Sequence, residues 1–299
     1  MELFSACKNG DVERVEALLK SGADPNLLCP KGHLRYYVSC LQVCAMRSNS
    51  LPLMSLLLNH GADPNLSKKG LHPSSALELA IMNGNISVVP LLLNSGAKVT
   101  LPVLREACDS FNLELLERLL IVLRSDGDPN KFNDRLSYCL VFCLWPENED
   151  CVDFLLKLGA DPNYVYQNGS NPLHSAVIGG SEKIVKRLLD AGARVNKKSK
   201  HSESTELHLA VRLHRRYDSE AFGCAKHLLA FGAHVDAVDD KGRTPLQIAT
   251  SRGLDKVTKL LKSAQEISLK CLASRVVKKN CNLDKVYLPP ILKDFVNLH

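Results

Sequence analysis

Cysteine and histidine are the first residues to weigh, because their spacing would betray a metal centre or a nucleophile. Cys40 and Cys44, and again Cys139 and Cys143, stand at i and i+4, which on a helix places both thiols on one face. A structural zinc needs four ligands, and neither pair has a second Cys or His pair at finger spacing beside it. Packing of small apolar thiols explains both pairs better. His174 and His208 each follow a leucine near the start of an apolar run, where a capping hydrogen bond is the expected role. The chain shows no Gly-Lys-Ser/Thr phosphate loop, no His-Glu-x-x-His and no nucleophile elbow. It reads as a non-enzyme, with no catalytic residue, metal or cofactor expected.

The remaining chemistry is basic and aromatic. The formal net charge is +6, and Lys197, Lys198, Lys200 and His201 crowd one stretch while Arg212, Arg215 and Arg216 crowd the next. Such patches hold phosphate backbones when a dedicated module presents them. None is present, so nucleic acid is not an expected partner. An acidic segment of a protein target suits the patch better, and a plain solvated face explains it as well. Aromatics beside arginine are common interface anchors. They occur here as Arg35-Tyr36-Tyr37 and as Tyr164 with Tyr166, with local loop packing as the alternative. The candidate substrate contacts are therefore Arg35, Tyr36, Tyr37, Tyr164, Tyr166, Lys197, Lys198, Arg212, Arg215 and Arg216.

What must position these residues is a repeat. Gly22-Ala23-Asp24-Pro25-Asn26 recurs to the letter at Gly61–Asn65 and Gly159–Asn163. Looser copies start at Gly96, Asp126, Gly192 and Gly232, so the interval is about 30 to 40 residues throughout. In the exact copies a short apolar helix stops at a glycine that takes the left-handed conformation, and a following proline prevents its resumption. A second signal opens the next helix: Asn171-Pro172-Leu173-His174, Thr205-Glu206-Leu207-His208 and Thr244-Pro245-Leu246-Gln247. Asn or Thr caps, and proline occupies the first turn. The weakest copies of this signal, Leu101–Cys108 and Leu136–Cys143, mark two repeats where distortion is expected.

Two motifs recurring in phase resemble the ankyrin repeat: a turn, two antiparallel helices and a projecting loop. The resemblance covers residues 1–265 and implies an all-α ankyrin-repeat solenoid of about eight repeats, a substrate-binding domain read as one elongated unit. Leucine pairs such as Leu57-Leu58 and Leu188-Leu189 would fill the space between repeats. Eleven cysteines are an odd number and read as reduced thiols of a cytosolic or nuclear protein. No apolar run approaches the length of about 18 residues that a membrane span needs, and Met1–Ser5 does not open a signal peptide. No membrane association is expected.

Residues 266–299 leave the repeat. Leu269, Leu272, Ala273, Val276 and Val277 fall on one helical stripe. Leu288-Pro289-Pro290 breaks the chain, and Ile291, Leu292, Phe295, Val296 and Leu298 make a second apolar segment. A cap that merely closed the repeats would carry a polar outer face, whereas this tail adds a fresh apolar stripe. Ser268–Val277 and Leu288–His299 resemble the two parts of a SOCS box, a small helical domain, and the whole chain is similar to the ankyrin-repeat and SOCS-box family. That resemblance implies an elongin C contact through Leu269, Leu272, Ala273 and Val277, with Leu269 as anchor. Ala273 stands where many members have cysteine. It implies a cullin contact at Leu288, Pro289 and Pro290, and as partners elongin B, elongin C, cullin-5 with its RING protein, and a protein substrate. The implied function is that of substrate receptor in a ubiquitin ligase. An ankyrin scaffold or inhibitor with no ligase attached, and a basic nucleic-acid-associated repeat protein, are the alternatives.

Overall fold

The computed structural model describes residues 1–31, 36–66, 74–125, 128–165, 169, 171–199, 203–213 and 218–266. Residues 267–299, which carry almost all of the expected SOCS box, lie outside the described residues. The described chain is helical, with one two-stranded hairpin. It falls into two compact units, Met1–Cys143 and Leu144–His299, where the sequence reads as one repeat domain.

The first unit holds four helix pairs and one further helix: α1 (Glu2–Asn9), α2 (Val12–Lys20), α3 (Cys40–Ala45), α4 (Leu51–Asn59), α5 (Ala76–Met82), α6 (Val89–Asn94), α7 (Leu101–Asp109), α8 (Leu113–Ser125) and α9 (Pro129–Phe142). The first helices of successive pairs stack, α1 on α3, α3 on α5, α5 on α7 and α7 on α9, while α2 packs on α4. Leu57, Leu77, Leu92, Leu104, Leu116 and Leu136 are fully buried between them, each contributing about 2 kcal/mol of apolar burial. The second unit holds α10 (Glu149–Lys157), α11 (Pro172–Ile178), α12 (Glu182–Asp190), α13 (Glu206–Arg212), α14 (Asp218–Ala230) and α15 (Pro245–Arg252). A last helix, α16, covers residues 255–266. Here α11, α13 and α15 form one layer and α10, α12 and α14 the other. Arg187 ties α12 to α10, its Nη1 2.9 Å from Glu149 Oε2 and its Nε 2.6 Å from Asp153 Oδ1.

The repeated landmark is a fixed piece of hydrogen bonding. After α10 the Gly159 and Ala160 amides donate to Leu156 and Leu155 carbonyls, and Gly192–Ala193 and Gly232–Ala233 repeat the pattern on their own helices. Gly159 has φ +96°, a region closed to most side chains. Asp161 Oδ1 then accepts from the Asn163 amide, 2.8 Å. The asparagine side chain reaches one repeat onward. Asn163 Nδ2 donates to Gly192 O, 3.0 Å, and its Oδ1 accepts from the Arg194 amide, 2.8 Å. Asn196 does the same to Gly232 and His234. In the first unit Asn26 links to Gly61 and Asp63, and Asn65 to Gly96 and Lys98.

Three expectations need correction. The described part of the landmark that starts at Asp126, Asp128–Asn130, is not a projecting loop. From Asp128 onward it opens α9, because the Asp128 carboxylate accepts from the Asn130 and Lys131 amides and Pro129 fits the first turn. The repeat at Leu136–Cys143 is thus distorted, as expected, into a helix of 14 residues. The one at Leu101–Cys108 is not, since α7 forms a regular helix of 9 residues behind Thr100. Last, Tyr36 and Tyr37 belong to a hairpin strand rather than a loop: β1 (Leu28–Lys31) pairs antiparallel with β2 (Tyr36–Ser39), Leu28 opposite Ser39 and Pro30 opposite Tyr37.

Candidate functional site

Of the candidate substrate contacts, Tyr37 lies on β2 of the first unit and is exposed. In the second unit Tyr164 is half-buried, its amide donating to Asp161 O at 3.2 Å. Lys197 and Lys198 are exposed on the turn that follows Asn196. Arg35, Tyr166, Arg215 and Arg216 lie outside the described residues, as does the side chain of Tyr36. Leu269, Leu272, Ala273, Val277, Leu288, Pro289 and Pro290 lie outside them as well.

The basic patch is largely compensated where it is described. Lys198 Nζ sits 3.0 Å from Glu203 Oε2. Arg212 is half-buried and paired: its Nη1 donates to Ser204 Oγ at 2.5 Å and its Nη2 to Asp239 Oδ2 at 2.6 Å. The Asp239 side chain is fully buried, 0% exposed, and also accepts from the Lys241 and Arg243 amides and from the Arg243 guanidinium. Burial works against its charge, yet these donors prevail and hold the carboxyl down at about 2. Of the described basic candidates, Lys197 alone has no counter-ion among the described residues.

The polar residues that sequence reading assigned to capping do more than cap. His208 is the N3 residue of α13: its Nδ1 accepts from the Thr205 amide, 3.2 Å, and from the Thr205 hydroxyl, 2.9 Å. Its Nε2–H donates to Arg243 O, 2.9 Å, in the following turn. His174 Nε2–H likewise donates to Lys197 O, 2.9 Å, and lies 3.3 Å from Glu206 Oε1. Glu206, 1% exposed, accepts from the Asn196 and Lys197 amides. The same device recurs in the first unit at a residue that sequence reading passed over. Gln42 completes a capping box with Ser39 and donates Nε2–H to Ser74 O, 2.7 Å. Its position, third in the helix after a Ser or Thr cap, was the available signal.

The two histidines titrate in opposite senses. Burial lowers the His174 pKa, but the Glu206 carboxylate outweighs it, and the value rises above 6.5. For His208 burial prevails and the value falls below 6.5. The contribution of His174 is therefore full below pH 6.5 and lost as pH climbs through its folded value. That of His208 is full above pH 6.5 and lost as pH falls toward its lower folded value. His174→Gln should accordingly cost least stability at alkaline pH and His208→Gln least at acid pH. Thermal melts of both variants from about pH 5 to about pH 9 check this; parallel profiles would contradict it.

The nine described cysteines are all buried. Cys40 and Cys44 meet Cys7, and Cys139 and Cys143 meet Cys108. At Cys7 the contact with Cys40 pulls the pKa down, but the Cys44 contact and burial prevail and push it up to about 12. The contacts of Cys108 with Cys139 and Cys143, together with burial, hold its thiol well above the ordinary range. The thiolate that would attack or ligate is disfavoured. Among the described residues no group of three or more His, Cys, Asp or Glu side chains could hold a metal ion, and no helix is long and apolar enough to cross a membrane.

Comparison with known families settles what these turns and helix pairs are. A family model for ankyrin repeats, in three copies, matches residues 3–102, 104–199 and 140–220. The chain belongs to the ankyrin repeat family. Among curated relatives it is similar to the human transient receptor potential cation channel subfamily A member 1, 25% identical over 267 residues, 74% of this chain and 23% of that protein. The mouse nuclear factor NF-kappa-B p105 subunit is 42% identical over 97 residues, 32% of this chain and 9% of the subunit. Bovine protein fem-1 homolog A is 28% identical over 204 residues, 62% of this chain and 30% of that protein. The matched stretches thus span less than a third of each of these three relatives. Among solved structures, the human ASB11 ankyrin repeat domain superposes with a TM-score of 0.57 at 22% identity, over 78% of this chain and 99% of that domain. That likeness shows the fold. Ankyrin repeats are typically a non-catalytic scaffold, and the buried His, Glu and Asp network above is what holds the turns of this one.

Proposed function

We propose that this chain is the substrate-recognition subunit of an elongin B/C–cullin-5 RING ubiquitin ligase. The observation that carries this reading is the segment that directly follows the last repeat. Ser268–Val277 places Leu269, Leu272, Ala273, Val276 and Val277 on one stripe, and Leu288-Pro289-Pro290 precedes a second apolar segment, in the pattern of a SOCS box. A tail of this size buries little surface by itself, so its apolar stripe calls for a partner. Elongin C takes the first segment through Leu269, Leu272, Ala273 and Val277, and cullin-5 meets Leu288, Pro289 and Pro290. The ankyrin repeats hold a target protein. The mechanism is proximity: a target lysine is kept near a charged ubiquitin-conjugating enzyme, which raises effective concentration without chemistry by this chain. The buried thiols suit a reducing compartment, cytosol or nucleus.

Co-expression tests the reading. The full chain with elongin B and elongin C should elute as one stable ternary complex that then retains cullin-5. A chain ending at Glu266 should elute apart from both elongins. Equal behaviour of the two chains would leave an ankyrin scaffold without a ligase.

A further inference from the structure

We propose that the edge of the first unit where α5 and α7 end is a docking surface for a partner-protein segment that combines apolar with cationic side chains. This goes beyond the ligase reading and stands without it, since that reading rests on the tail.

The first observation is a misplaced aromatic. Each turn between paired helices in this unit passes through one residue of positive φ followed by a polar residue: Gly10-Asp11, Asn49-Ser50, Gly84-Asn85 and Phe111-Asn112, at φ +84°, +59°, +69° and +54°. Glycine and asparagine accept that conformation readily, whereas a bulky residue there is strained. Phe111 nevertheless occupies it, with 51% of its surface exposed. Its ring therefore recovers little of the backbone cost by burial within the fold. One repeat earlier, at the matching end of α5, Met82 is 55% exposed. Because α5 packs on α7, the two apolar side chains lie at the same edge.

The second observation is charge. Glu78, in the first turn of α5 and one turn before Met82, accepts from the Ser74 hydroxyl at 3.2 Å, and Glu106 and Asp109 occupy the last turns of α7. Burial, then the nearby Asp109 and Glu78 carboxylates, raise the pKa of Glu106. Arg105 is the cation among them. It lies 3.8 Å from Asp109 and over the Phe142 ring at 5.6 Å. Glu106 thus has the Asp109 and Glu78 carboxylates to repel it and one guanidinium, Arg105, to attract it, on a chain whose net charge is +6. An incoming lysine or arginine relieves that repulsion, while an acidic peptide or a nucleic acid adds to it.

The full chain, panned against a phage-displayed library of random dodecapeptides, provides the test. Selected peptides should pair Lys or Arg with Leu, Phe or Met. A resynthesised peptide should bind Phe111→Gly and Glu106→Arg at least about tenfold more weakly. Phe111→Gly removes the strained backbone and should melt no lower than the parent, so its loss of binding would not reflect unfolding. Ile121→Ser, on an exposed face of α8, should bind as the parent does. Peptides without basic residues, or unchanged affinity for Phe111→Gly, would overturn the proposal. Self-association of the parent in ultracentrifugation, abolished by Phe111→Gly, would also overturn it by showing a second copy on this edge.

Discussion

Leu269→Asp is expected to separate this chain from elongin B and elongin C, weakening their capture at least about 100-fold, or roughly 3 kcal/mol. The physical argument needs only the sequence pattern and the proposed contact. Leu269 opens an apolar stripe continued by Leu272, Ala273, Val276 and Val277, and a leucine buried at such a contact contributes about 2 kcal/mol. An aspartate in its place forfeits that contribution and must also be desolvated or leave the interface unclosed, a cost of several kcal/mol more. The repeats are untouched by the change. Leu269→Asp should therefore melt with the parent while losing the elongins in size-exclusion chromatography and calorimetry. Retention of the ternary complex by a correctly folded Leu269→Asp chain would remove the proposed anchor.

The second large effect concerns the fold. Glu206→Ala should destabilise the second unit by about 3 kcal/mol, read from urea unfolding followed by circular dichroism. The carboxylate is 1% exposed and accepts from two backbone amides, Asn196 N at 2.9 Å and Lys197 N at 3.2 Å, besides lying 3.3 Å from His174 Nε2. Alanine leaves those donors without their buried acceptor, each at a cost of about 1 to 3 kcal/mol, moderated where water reaches the turn. Glu206→Gln keeps one acceptor oxygen and should lose less than half as much. A Glu206→Ala chain within about 0.5 kcal/mol of the parent would show that the turn is held by the Asn196 and His174 bonds alone.

Much of the architecture was legible because its signals are local. A glycine at the helix end, an aspartate two residues on and a proline beside it specify one turn wherever they occur, as at Gly22, Gly61 and Gly159. The failures have local causes too. Asp126–Asn130 carries the letters of the landmark in part, but without Gly-Ala to close the preceding helix its Asp-Pro-Asn end caps the next one, and α9 results. Among the candidate contacts, the pairing of Arg212 is not legible in composition. Whether Arg212 faces solvent or Asp239 depends on a residue 27 positions away, and no window of the sequence pairs the two.

From the chain alone follow the family, the period of its turns, the helix starts, the thiols as packing groups and the break in pattern after the last repeat. These rest on residues within one turn or one helix of each other, where covalent geometry and capping chemistry decide the outcome. The tertiary structure alone decided how the repeats are joined: asparagine side chains from turn to turn, and Gln42, His174 and His208 from helix to following turn. It also decided that Arg212 is paired with Asp239, that Phe111 stands strained and exposed, and that Glu106 lies near the Asp109 and Glu78 carboxylates. Such outcomes depend on which side chains meet across a distance of one repeat, and partners that far apart are chosen by packing, which no local pattern encodes.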